Sequence, residues 1–131
     1  VLPGVVLALA AGQATPDHCR ELSALAVELT VTARSGDLEA FLRHDIAFHA
    51  LLLRASGNEM FAHLADAVGA VLTGRTEHHL MPHHPEPYAV ALHREVADAV
   101  CAQDPAAAER AMRAIVAGAL EEPAPTLGES A

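Results

Sequence analysis

Asp45 and His49 stand four residues apart in Asp45-Ile46-Ala47-Phe48-His49, and His93 lies far downstream. On a helix, residues four apart share a face with about 6 Å between their Cβ atoms. A carboxylate and an imidazole so placed, joined by a second imidazole from another helix, could form a metal- or acid-binding centre. One carboxylate plus neutral imidazoles suits Zn, Ni, Mn or Fe(II), and three protein ligands leave positions open for water or a ligand. Taken singly, the residues are less specific. An Asp and a His at i,i+4 also describe a surface ion pair, and a lone histidine on an apolar face is often a satisfied, partly buried one. The Asp45–His49 face also carries Leu42, Leu52 and Leu53, and that of His93 carries Ala89, Val96 and Val100. Polar groups beside such stripes need partners, because burying them unpaired costs a few kcal/mol.

Other polar residues are weaker candidates. Arg75 ends an apolar helical pattern and could clamp a carboxylate bidentately, or simply be solvated. Arg34 and Arg43 read as surface residues. His78-His79 and His83-His84 flank Pro82 and resemble a metal-binding tract by composition, although exposed loop histidines look the same. One of them, His79 among them, could fold over the site. No nucleophile elbow, glycine-rich phosphate loop or His-Glu-x-x-His occurs. Glu59, Asp66 and Asp98 form no paired-carboxylate arrangement, so no catalytic constellation assembles.

The elements that must position these groups read as helices throughout. Val5 to Gly12 is the end of one helix. Thr15-Pro16-Asp17 starts the next, with Thr15 as N-cap and proline in the first turn, and Leu22, Leu25, Ala26, Leu29 and Ala33 form its apolar stripe. Asp37 caps a third helix that carries Leu38, Phe41, Leu42, Ile46, Phe48, Leu51 and Leu52 to the stop at Ser56-Gly57. Asn58 caps a fourth, with Phe61, Leu64, Val68, Val71 and Leu72. Pro82, Pro85 and Pro87 fall in the longest irregular segment, a hinge or lid candidate. A fifth helix runs from about Pro87 to Ala102. Asp104-Pro105 starts a sixth, with Ala108, Met112, Ile115, Val116 and Leu120. The end of the chain, residues 123–131, is rich in Pro, Gly and Ser and is expected to fray. No period-two strand pattern and no internal repeat is present.

Composition agrees with an all-α domain. The chain has 131 residues, 52% hydrophobic and only 3% aromatic, enough for one core packed by aliphatic side chains and alanine. Its formal charge of -9 and scattered basic residues argue against gripping a phosphate backbone unaided. Cys19 and Cys101 are far apart in sequence and in no metal spacing, which suits two free thiols in a reducing cytoplasm. No apolar run approaches the roughly 20 residues of a membrane span. Val5 to Ala11 lacks the preceding basic stretch of a signal peptide. The abrupt start at Val1 suggests a fragment of a longer protein.

Two blocks carry a family resemblance. Gly36 to Asn58 contains Asp45-Ile-Ala-Phe48-His49 followed by Ala55-Ser56-Gly57-Asn58. His93 to Met112 follows an H-x-x-(I/V)-x-x-A-(I/V) pattern, then Asp104, then A-x-x-x-M. In order and spacing both resemble the FCD domain, the C-terminal effector-binding domain of the FadR branch of GntR-type transcription regulators. The resemblance spans roughly Val5 to Leu120. It implies an antiparallel bundle of about six helices around a central ligand cavity, over residues 1–122. It also implies a homodimer and a divalent metal held by an Asp, a His one turn later and two further His, with small organic acids bound at or near the metal. The matching positions are Asp45, His49 and His93. The last histidine would fall at Ile115, which cannot ligate. DNA binding would belong to a winged helix-turn-helix outside this chain.

The expected function is therefore non-enzymatic effector sensing. A small carboxylate would meet a metal on Asp45, His49 and His93, or the imidazoles themselves, with Arg75 and His79 as further contacts. The rival from another class is a small metal-dependent enzyme on a helical bundle. A third reading is a domain that has lost its ligand and only dimerises.

Overall fold

The computed structural model describes residues 2–77 and 87–121; side chains at 2, 3, 77 and 119–121 are excluded. All regular structure among them is helical: α1 (Leu2–Gln13), α2 (Pro16–Ser35), α3 (Leu38–Ala55), α4 (Glu59–His63), α5 (Ala65–Glu77), α6 (Pro87–Cys101) and α7 (Pro105–Glu121). The expected frayed end, the segment carrying His79, and its neighbours His78, His83 and His84 lie outside the described residues.

Short side chains set the helix starts. Thr15 Oγ1 accepts from the His18 N–H at 3.1 Å, and His18 Nδ1 accepts in return from the Thr15 N–H at 3.1 Å, a reciprocal cap with histidine in the usual Glu place. Asp37 Oδ1 accepts from Ala40 N–H, Asn58 Oδ1 from Phe61 N–H and Asp104 Oδ1 from Ala107 N–H, at 3.1, 3.2 and 3.1 Å. At the other end of α2, Gly36 takes φ 74°, and the Asp37 N–H reaches back to Thr32 O at 3.2 Å. This left-handed closure turns the chain into α3 within two residues. α6 closes the same way, with the Asp104 N–H on Ala99 O at 2.9 Å, but the left-handed residue is Gln103 at φ 57°.

Two boundaries differ from those expected. α1 runs on through Gly12 to Gln13. The helix expected from Asn58 through Leu72 is divided at Leu64, whose N–H bonds Phe61 O in a tightened turn before Val68 resumes the ladder from Leu64 O. Phe61 before this break, Leu64 at it and Val68 beyond it pack against the core, but Val71 is 64% exposed.

α1 and α2 each pack against both α3 and α6, α7 packs on α6 and α1, and α5 lies along α3. The buried core joins Val6, Leu7 and Ala10 of α1 with Leu22 and Leu29 of α2, Phe48 and Leu52 of α3, Val96 and Val100 of α6, and Ala108 of α7. Alanines allow close helix approach, as a core nearly free of aromatic rings requires. Among the described residues, no helix is long and apolar enough to cross a membrane.

Candidate metal centre

The buried stripe of α3 reads Phe41, Asp45, Phe48, Leu52, Ala55, at spacings of three and four. Asp45 is its one charged member. The stripe of α6 likewise holds one polar residue, His93, among Val90, Val96, Ala97 and Val100. Because α1 and α2 clamp both helices, the two interruptions meet inside the bundle. Asp45 and His93 are 5% and 6% exposed, which excludes a surface ion pair.

Asp45 Oδ1 lies 3.2 Å from His49 Nε2 and 3.2 Å from His93 Nε2. One ligand atom from each of the three residues lies within 4.8 Å of the others. The rings stand edge to face at 5.4 Å between centroids, and Phe48, fully buried, sets its edge against both, at 5.6 Å from His49 and 5.2 Å from His93. The cluster thus has an apolar wall on one side.

The His93 tautomer follows from its surroundings. Its Nδ1 lies 2.8 Å from Ala89 O, one turn back on α6. A carbonyl can only accept, so Nδ1 carries the proton and neutral His93 presents a lone pair at Nε2. That lone pair faces Asp45 Oδ1, itself an acceptor, and these two buried atoms have no hydrogen-bond partner. The same contact is an ion pair when His93 gains a second proton. The two descriptions are the two protonation states of one ring. In either case a positive charge is required between Oδ1 and Nε2: a proton or a metal ion. Burial pushes the Asp45 carboxyl up, but when the two rings are protonated at Nε2, hydrogen bonding and charge from His49 and His93 outweigh it and hold the group well below the usual carboxylate range.

This donor set fits a divalent metal. At bond lengths of about 2.0–2.2 Å, ligand atoms on one ion stand about 2.8–3.6 Å apart across octahedral to tetrahedral angles, a range that includes the 3.2 Å seen at Oδ1. A ligating histidine normally donates its other ring N–H to a carbonyl or carboxylate, the part Ala89 O plays here. The sequence marks Ala89 as a face-mate of His93; its backbone role, invisible to residue type, is signalled only by the i−4 spacing.

Among the described residues, Asp45, His49 and His93 are the ligand-type side chains that come together. Ile115 lies on α7, half-buried against the core. Arg75 lies half-buried in the last turn of α5, the helix that runs along α3. An open groove of about 550 Å³ lies elsewhere, between α6 and α7, with Glu95, Asp98, Asp104 and Arg110 on its rim; none of the three ligand residues lines it.

Comparison with known proteins gives three findings. A GntR protein of Streptococcus agalactiae has a similar fold, with a TM-score of 0.73 at 23% identity over 92% of this chain. The chain spans 53% of that protein's length. No curated protein matches the chain. The FCD domain family matches residues 2–118, nearly the whole of the described bundle. The chain belongs to the FCD domain family.

Proposed function

We propose that this chain is the effector-sensing domain of a GntR-type transcription regulator, and that it holds a divalent metal through Asp45, His49 and His93. Family membership supports a regulatory, non-catalytic role. The observation that carries the metal reading is the buried pair Asp45 Oδ1 and His93 Nε2, 3.2 Å apart, which face each other as two acceptors whenever His93 is neutral. A bound Zn, Ni, Mn or Fe ion would supply a Lewis-acidic centre with open positions for the oxygens of a small carboxylate.

The chain's own residues do the rest. Ala89 O orients the His93 ring, and Phe48 excludes water from one side. The His49 side chain keeps 17% of its surface exposed and marks the approach from solvent. Arg75 and His79 are the proposed anion contacts, and Ile115 the position where a fourth ligand is replaced by an apolar side chain. Asp45 and His49 belong to α3 and His93 to α6. A ligand drawn to all three biases how these helices sit against α1 and α2, by no more than its difference in affinity for the two packings. Paired domains of this kind would relay the shift to DNA-binding domains outside this chain, in the cytoplasm.

Elemental analysis of the purified domain tests the reading. The expected result is near-stoichiometric metal that is lost in His49→Ala, with thermal stabilisation by small dicarboxylates only in the metal-loaded protein. Absence of metal after incubation with each of the four ions, with no response to carboxylates, overturns it.

A further inference from the structure

The two histidines of the cluster are held differently. His93 is fixed at both ring nitrogens, Nδ1 on Ala89 O at 2.8 Å and Nε2 against Asp45 Oδ1 at 3.2 Å. His49 has the Asp45 contact at Nε2, also at 3.2 Å, but among the described residues no hydrogen bond reaches its Nδ1. One contact at Nε2 leaves an imidazole free to pivot, because the torsion that turns its ring has broad minima. What else touches the His49 ring is aromatic. Phe48 lies 5.6 Å away at 81°, and His93 lies 5.4 Å away at 77°. Phe48 also meets His93, at 5.2 Å and 63°, so the three rings close a triangle of edge-to-face contacts. Phe48 is its anchored corner: it is fully buried, in the same core as Leu52 and Val96. A close-packed interior holds a ring of that size in one rotamer.

We infer that Phe48 is a positioning residue of this centre: its fixed ring orients the His49 imidazole, as the Ala89 carbonyl orients that of His93. Neighbouring residues on a helix do not ordinarily face each other, so the Phe48–His49 contact selects among the rotamers of His49. The selected rotamer is the one that keeps Nε2 on Asp45 Oδ1. The partner that orients a ligating histidine is usually a hydrogen-bond acceptor, which also fixes the tautomer and raises the basicity of the ring. A hydrocarbon ring does neither. It sets the plane of the imidazole and leaves its electronics alone. His49 is therefore the more exchangeable of the two histidines, and it is the one with side-chain surface open to solvent, 17% against 7% for His93.

The test is Phe48→Leu, which removes the ring and keeps a branched apolar side chain. The first readout needs no metal. In chelator, NMR couplings and NOEs should report a single His49 rotamer in the wild-type chain and an average of rotamers in Phe48→Leu. The His93 ring, tied to Ala89 O, should keep its orientation in both. The second readout is the Kd for Zn and for Ni by competition with a coloured chelator, expected to rise about tenfold in Phe48→Leu. This readout rests on the metal reading proposed above; the first does not. A wild-type chain that binds neither ion would therefore fail that reading and leave the rotamer measurement to decide this one. Phe48→Met, closer in volume, replaces Phe48→Leu if the latter does not fold. Val100→Ala, a loss of equally buried core two turns beyond His93, should leave both readouts unchanged. A single His49 rotamer retained without the Phe48 ring would overturn the inference. So would equal loosening of His49 and His93, or the same loosening in Val100→Ala.

Discussion

Replacing Asp45 by Asn should make the metal-free domain more stable while destroying its response to metal. Asn has the shape of Asp but carries an NH2 group. Placed where Oδ1 now stands, that group offers one N–H to each imidazole Nε2, both at 3.2 Å. It supplies the donor that the buried pair lacks. Relieving an unsatisfied buried acceptor is worth about 1–3 kcal/mol. For 131 residues the unfolding entropy is about 0.28 kcal/mol per kelvin, so the variant should melt about 4–11 °C above wild type in chelator at pH 8. Metal at a hundred times its Kd should stabilise wild type by about 2.7 kcal/mol, about 10 °C, and leave Asp45→Asn unmoved. Differential scanning calorimetry with and without Zn or Ni gives all four numbers. If Asp45→Asn melts more than about 10 °C below wild type in chelator, the contact is a structural ion pair whose loss costs about 3–5 kcal/mol, and the argument from facing acceptors is wrong. An equal metal response in both proteins would remove Asp45 from the ligand set.

Asp45 should also govern acid stability. While His49 and His93 carry the extra proton, the folded-state carboxyl lies below the ordinary 3.8, so in acid its contribution is present above pH 3.8 and is lost as pH falls below that value towards the folded pKa; urea midpoints between pH 5 and pH 3 should fall more for wild type than for Asp45→Asn. Ile115→His should raise metal affinity at least tenfold in equilibrium dialysis, and an unchanged Kd would show that position 115 does not reach the metal. Gln103→Gly should raise Tm by about 2–4 °C, since Gln103 holds φ 57° at the end of α6; a decrease would mean that its side chain contributes more than its backbone strain costs.

Much of the fold was legible because its signals act over three or four residues. Thr15, Asp37, Asn58 and Asp104 each accept from an N–H three residues on, and all four helix starts follow from residue type at that spacing. Asp45 and His49 were legible as a pair for the same reason. The break at Leu64 was not, because Leu64 is an ordinary helix former and continuous apolar spacing runs through it. The exposure of Val71 likewise depends on where α5 ends its contact with the rest of the bundle.

The sequence by itself determined the helices, their caps, the family resemblance and the identity of the three ligand-type residues. It could not say that Asp45 and His93 would lie 3.2 Å apart and buried, or that Ala89 O would leave the His93 lone pair facing a carboxylate. Those facts belong to the tertiary structure. A cap or an i,i+4 pair is closed by the geometry of one helical turn, which the local sequence carries in full. A contact between α3 and α6 such as Asp45–His93 depends on which faces pack and in what register. That register is settled only when the whole core has been filled.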